Sequence, residues 1–323
     1  MTSIVDALRN SEIPSIQYKI LVNVLGRRPD GPEARQCQAN IPGSDLVKSL
    51  LSERDAGGRI PLKAYSKWRG AHWVLAALAD LDYPAGDDSL IPLREQVLDW
   101  LFSGEHQDYF STRTVAGKVR MHPSQEGNAI YALVKLGLAD ERVDSLVKRI
   151  LSWRWPDGGW NCDMNPAVEI SSFHESLIPL RGLIYYQELS GDDSLKETIE
   201  ETAEIFLKRR LYKRLRDGAV MNTNFTALHY PCYWHYDMLF GLKVITEAGL
   251  VHDPRCADAL ALLESKRLPD GGFPAEKKYY RAAEKQTGGS STVDWGGTSK
   301  KHSNVFITAD ALYVLKSAGR ISV

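Results

Sequence analysis

Apolar positions divide the chain into two kinds of predicted helix. Five segments open on a polar or aromatic cluster and continue as a small, apolar helix. They are 68–78, headed by Trp68, His72 and Trp73; 122–133, headed by His122 and Glu126; and 173–180, headed by Phe173, His174 and Glu175. The others are 231–240, whose head holds Cys232, Tyr233, Trp234, His235, Tyr236 and Asp237, and 302–312, headed by His302 and Asn304. Segment 14–22 is a weaker sixth member. Helices apolar on most faces are expected to be packed on both sides, as an inner layer is. Between them lie amphipathic segments at 44–53, 88–102, 140–153, 192–211 and 253–265, with the short 4–9 as a sixth. Several begin with Asp or Ser, which cap a helix and complement its dipole. Their charged faces predict an outer layer, and the count closes at six pairs.

Glycine turns follow the outer helices: Asp55 to Gly58, Asp157 to Trp160, Asp217-Gly218, and Asp270 to Phe273. Glycine supplies the positive φ that such turns require. An aromatic directly after the glycines can wedge between adjacent hairpins. Outer helices start about 44–61 residues apart, long for a simple solenoid. The excess lies in the outer-to-inner connections, the longest being 274–301, whose length suits either a lid or a solvated, flexible loop. The expected fold is all-α: an (α/α)6 barrel, or toroid, of helical hairpins forming one domain over 1–323 around a deep central cavity.

Composition narrows the partners. The 323 residues are 43% apolar and 25% charged, an ordinary globular balance. A chain above about 250–300 residues usually splits into domains unless repeats extend one core. With a net charge of -1, no bulk attraction to nucleic acid or to an anionic membrane is expected. Cys37, Cys162, Cys232 and Cys256 form no CxxC pair, which fits a reducing, cytoplasmic setting. The first residues carry no basic-then-apolar leader pattern, and no run of about 18 apolar residues occurs. A small-molecule substrate is therefore the expected partner, for a monomer or homo-oligomer.

Six of the eight histidines, His72, His122, His174, His229, His235 and His302, lie at or just before inner-helix starts. Parallel inner helices would bring these starts to one mouth, where helix dipoles favour anions. A structural reading, in which each such residue only caps its helix, stands beside the functional one. The richest cluster runs from Trp160 through Cys162 and Asp163 to His174 and Glu175. A carboxylate beside an imidazole orients it and raises its basicity, so Asp163 and His174 form the first candidate acid–base pair. Facing them are His229, His235 and Asp237, with Tyr233, Trp234 and Tyr236 offering faces for a cation or a flat apolar group. Asp294 and Trp295 in the long loop, with His302, His122 and Glu126, complete the candidate substrate-binding residues.

The turns at Asp157 to Trp160 and Asp270 to Phe273 resemble the repeated aspartate-glycine-aromatic turns of the terpenoid cyclase and protein prenyltransferase superfamily. The resemblance covers nearly the whole chain as a repeat pattern. It implies an α/α toroid of six hairpins with a central pocket for an apolar, often isoprenoid, substrate, and it does not fix the chemistry. The Asp-x-Asp-Asp acid of class II cyclases is missing; Asp87-Asp88 and Asp192-Asp193 look like caps. Zinc prenyltransferases place an aspartate two residues before a cysteine, followed by a later histidine. Cys232 and His302 resemble two of these ligands, but Tyr230 stands at the aspartate position. His229 or His235 could replace it, since a zinc site needs at least three protein ligands. The leading reading is a cyclase-like lyase or isomerase that needs no metal or other cofactor and performs cyclisation, isomerisation, elimination or hydration by acid–base chemistry. Its alternatives are a zinc enzyme using Cys232, His302 and His229, a carbohydrate-active barrel hydrolase or lyase, and a non-catalytic binding module. A filled centre would favour the last.

Overall fold

The computed structural model describes residues 3–281 and 288–322. In chain order the helices are α1 (Ile4–Arg9), α2 (Pro14–Lys19, continued by a π-turn at Ile20–Val24), α3 (Pro32–Asn40), α4 (Asp45–Leu51), α5 (Ala71–Asp80), α6 (Ile91–Leu101) and α7 (Gly104–Ser111). A hairpin of β1 (Thr114–Val115) and β2 (Lys118–Val119) follows. The chain continues with α8 (Pro123–Lys135), α9 (Glu141–Ser152), α10 (Phe173–Ser190), α11 (Leu195–Leu207), α12 (Met238–Glu247), α13 (Ala257–Ser265) and α14 (Val305–Ser317). Neighbour by neighbour, α5 packs on α8, α8 on α10, α10 on α12, α12 on α14, and α14 on α2 with its π-turn. These six form the inner ring, and α1, α4, α6, α9, α11 and α13 form the outer one, giving the all-α barrel of six hairpins.

The two layers follow from their sequences. Helix α9 buries Val143, Leu146, Val147 and Ile150, one stripe at helical spacing, and leaves the rest to solvent. Helix α12 buries eight consecutive residues from Met238 to Ile245, as a helix enclosed on all sides must. Ser44, Asp140, Asp237 and Asn304 cap α4, α9, α12 and α14 by accepting backbone N–H groups. Helices α3 and α7 and the hairpin are additions to the expected pattern. Helix α3 buries only Ala34, so it carries no apolar period to read.

The glycine turns share one construction. Trp155 N–H bonds to Gly159 O, Leu268 N–H to Gly272 O, and Asp55 N–H to Arg59 O. The first glycine of each double pair, Gly158 or Gly271, has φ +102° or +86°. The second is held small by its neighbours: a Cβ on Gly159 would lie 2.3 Å from Ile205, and one on Gly272 would lie 2.5 Å from Ser303. The following aromatic then anchors the turn to the next inner helix. Trp160 N–H bonds to the Ser176 hydroxyl, and Phe273 N–H to that of Thr308. Trp160 and Tyr236, both expected at the pocket, are core residues instead. Trp160 is fully buried with Nε1 donating to Ile150 O, and Tyr236 is buried with its hydroxyl donating to Leu211 O.

The barrel axis also departs from expectation: it holds no deep cavity among the described residues. At the C-terminal end, charged side chains from all six inner helices converge. Arg181 bonds Glu247 through two nitrogens at 2.8 Å and reaches Asp80 at 2.8 Å. Lys243 bonds both Asp310 oxygens at 2.9–3.0 Å, Lys19 lies 3.6 Å from Asp310, and Lys135 lies 2.8 Å from Asp82. Burial alone would raise the pKa of Asp80, but Arg181, Lys243 and Lys19 hold it well below the usual carboxylate range. The space left among these groups is about 70 Å³. Toward the other end, Pro231, Cys232 and Tyr233 dip over the axis and leave a gap of about 20 Å³ against Trp73, Asn128 and Phe240. No described helix is long and apolar enough to cross a membrane.

The tightest inner-ring seam is between α8 and α10. A Cβ on Gly127 would meet Pro179 at 2.6 Å, and one on Gly182 would meet Gly127 O at 2.6 Å, backbone on both sides. Gly127→Ala is expected to lower stability by about 1–3 kcal/mol, as overpacking does. Arg181→Met should cost about 3–5 kcal/mol, because Asp80 and Glu247 lose their buried cation. Denaturant midpoints check both. A loss below about 1 kcal/mol for Arg181→Met would mean that the network does not depend on this cation.

Candidate active site

The N-terminal ends of the inner helices form the opposite mouth, and most of the histidines converge there. Loop 228–236, just before α12, builds one side. Asp237 N-caps α12 by accepting Phe240 N–H at 2.8 Å through Oδ1. Its Oδ2 accepts His229 N–H at 2.9 Å and lies 2.9 Å from His229 Nδ1. The other neighbour of Nδ1, Ala227 O at 3.4 Å, is also an acceptor. In the neutral ring Nδ1 is thus the N–H, which leaves the lone pair on Nε2. Nε2 is buried and has no hydrogen-bond partner. Helix capping thus explains Asp237 and the Nδ1 edge of His229 but leaves the Nε2 edge unassigned.

Aromatic rings surround this dyad. His235 is stacked between Tyr279 at 3.5 Å and Trp234 at 4.1 Å, and its ring lies 6.1 Å from that of His229. Burial, followed by the fields of His229, His174 and Lys67, pushes the His235 pKa down to about 3, so the ring is neutral near pH 7. His235 Nδ1 and Trp234 Nε1 are likewise buried without partners. His174 lies 5.7 Å from the Trp234 ring; burial lowers its pKa, against the opposing pull of Glu175. Tyr233, a non-glycine residue at φ 49°, stacks on Trp68 at 3.9 Å. The Lys67 ammonium lies over the Trp68 and Trp234 rings at 5.5 and 5.1 Å, so these faces already attract a cation.

The second side gathers His122, Cys162 and Glu175. His122 Nδ1 lies 3.3 Å from Glu175 Oε1, and Ser124 N–H donates to Glu175 Oε2 at 3.2 Å. Burial, then Glu175, pushes the Cys162 thiol up to about 12. Tyr65 sits between this group and His72, whose Nε2 accepts from the Asn128 amide at 3.1 Å. Burial pushes His72 down to about 3.

The remaining candidates fall elsewhere. Asp163 is exposed in its own turn: its carboxylate accepts Asn165 N–H and its carbonyl accepts from Arg120. The rings near His174 are Phe225 and Trp234, so the expected Asp163–His174 pair is not what orients this histidine. Glu126 is fully buried against His106 at 3.0 Å and Arg149 at 3.6 Å. His106 precedes no inner helix, so nothing in the sequence around it marks it as a partner of Glu126. Asp294 accepts from the Tyr280 hydroxyl and Gly296 N–H, and Trp295 is buried against Tyr230 and Phe306. Both line an apolar cleft of about 440 Å³ with Ile13, Leu46 and Val293, separate from the histidines. Segment 274–301, expected as a lid, packs on this mouth where described: Lys277 bridges His229 and Tyr279 stacks on His235, while residues 282–287 lie outside the described ones.

The zinc set taken from the prenyltransferase resemblance does not fit. His302 is exposed, whereas Cys232 is buried and its thiol is pushed up by burial and by Asp237 and Asp80. Among the described residues, the one group of three possible ligands with donor atoms within 4.8 Å of one another is His122, Cys162 and Glu175.

No protein-family pattern and no curated protein matches this sequence. Among solved structures it is similar to a glycosyl hydrolase family 88 protein from Bacteroides vulgatus, at 15% identity over 96% of this chain and 91% of that one, with a TM-score of 0.48. It is also similar to the type II terpene cyclase MstE from Scytonema in its apo form, at 13% identity over 85% of this chain and 96% of that one, with a TM-score of 0.27. At such scores the likenesses decide nothing about this chain, and the fold rests on its own helix packing.

The buried neutral histidines carry a pH signature. A folded-state pKa near 3 for His72 lies below the unfolded value of about 6.5, so the unfolded chain binds the extra proton. This contribution to stability is complete above about pH 6.5 and is lost as pH falls toward 3. Denaturant midpoints from pH 7 to 4 should fall less steeply for His72→Gln than for wild type. Equal slopes would mean that His72 is not held neutral.

Proposed function

We propose that this protein is an enzyme that moves protons on an apolar, isoprenoid-like small molecule at the histidine-lined mouth, in a cyclase-like isomerisation or elimination. The observation that carries the reading is the buried Asp237–His229 dyad, whose Nε2 lone pair has no partner within the protein. A group in that position acts as general base. Nε2 takes a proton from the carbon beside an existing C=C bond, the C–H electron pair becomes the new C=C bond, and the old π pair takes up a proton at the far carbon; in an elimination a leaving group instead departs with its bonding pair as the C=C bond forms. Asp237 stabilises the imidazolium, which returns its proton to another carbon or to solvent. His235, kept neutral, adds no competing positive charge. Trp68, Tyr233, Trp234 and Tyr279 give the mouth a wall of aromatic surface that suits an apolar substrate.

The stoppered axis favours a second reading, a non-catalytic binding module. The two readings separate on turnover. Wild type, His229→Gln and Asp237→Asn would be incubated with a panel of isoprenoid alcohols and prenylated aromatics, and products resolved by mass spectrometry. Asp237→Asn keeps the helix cap while removing the charge. The acid–base reading expects at least one compound to be converted, and both variants to be slower by about 10²–10⁴-fold. Binding without conversion by wild type would support the module. Conversion undiminished in His229→Gln would remove the dyad from the mechanism.

A further inference from the structure

We infer that His122, Cys162 and Glu175 form a zinc site at the rim of the mouth. The inference goes beyond the acid–base reading and does not rest on it. The three donors come from three separate places: the N-cap of α8, the loop after the Trp160 turn, and the first turn of α10. A thiolate, an imidazole and a carboxylate together are a zinc donor set, and the sulfur favours zinc over magnesium or calcium.

The geometry fits. Tetrahedral zinc with bonds of about 2.0–2.3 Å places its donors about 3.3–3.6 Å apart. His122 Nδ1 and Glu175 Oε1 already stand at 3.3 Å. The sulfur lies within 4.8 Å of both, so it needs to move by roughly 1 Å at most. Glu175 is pre-oriented, because Ser124 N–H holds Oε2 and leaves Oε1 facing the other two donors.

Charge agrees as well. Bound as a thiolate, Cys162 together with the Glu175 carboxylate would neutralise the ion, the thiol proton passing to solvent. Arg113 opposes a cation here, but its guanidinium is stacked on Tyr109 at 4.2 Å. The His122 side chain is 34% exposed, which leaves a path for the ion and an open fourth position for water or a substrate heteroatom.

The test uses untagged full-length protein stripped with a chelator and dialysed against zinc or cobalt(II). One metal per chain is expected, with a thiolate-to-cobalt charge-transfer band. The band should vanish in Cys162→Ser and persist in Cys232→Ser. His122→Ala and Glu175→Gln should each weaken binding at least about tenfold. As a check that needs no variant, saturating zinc should protect Cys162 of the wild type from alkylation and leave half-exposed Cys37 reactive. Absence of stoichiometric metal, a thiolate band that survives Cys162→Ser, or Cys162 alkylated equally with and without zinc would each overturn the site. Turnover by the His229 variants is read separately, so either idea can fail alone.

Discussion

The barrel depends on pairing charges that no single helix can satisfy. Lys19, Lys135, Arg181 and Lys243 meet Asp80, Asp82, Glu247 and Asp310 at the C-terminal end of the inner ring, four cations against four carboxylates from six helices and the turns that end them. A buried charge left alone costs several kcal/mol, so any arrangement that opens the ring strands at least one of these groups. Hydrophobic burial would accept a range of helix angles and registers. The charge network accepts few, because Arg181 must reach Glu247 on α12 and Asp80 on α5 together.

The network also sets how much of the barrel axis is left open. It closes the axis at one end, and Tyr233 and its neighbours narrow it from the other. The mouth formed by the helix N-termini and the loops above it lies on the side that the network does not fill. There the same physics works in the opposite direction. The charge network keeps its groups ionised by mutual pairing, whereas at the mouth burial without a counter-charge keeps His72 and His235 neutral.

The outer helices, the glycine turns and the convergence of His122, His174, His229 and His235 were legible because each leaves a local trace: an apolar period, a glycine pair or a polar head on an apolar helix. The charge network was legible in principle. Asp80, Arg181, Lys243 and Asp310 stand in or at the end of largely apolar stretches of their helices, and a charge in such a place needs a partner. Which charge pairs with which depends on ring closure, and no local pattern encodes that. Trp160 and Tyr236 misled for a related reason. An aromatic next to polar residues reads as a pocket wall, and only the packing shows Trp160 turned toward α9 and Tyr236 toward Phe206.

Asp163 and His174 show the limit of nearness in sequence. Asp163 spends its carboxylate on its own turn, eleven positions ahead of the histidine. Asp237 orients His229 from eight positions away because a cap residue must point back along the chain entering its helix. His174 and Glu175 are adjacent, yet consecutive helical side chains diverge by about 100°. One consequently faces Trp234 and the dyad, and the other faces His122 and Cys162. The first turn of α10 is thus the wall between the two halves of the mouth, and the rigid packing of α10 on α8 at Gly127 and Gly182 fixes their separation.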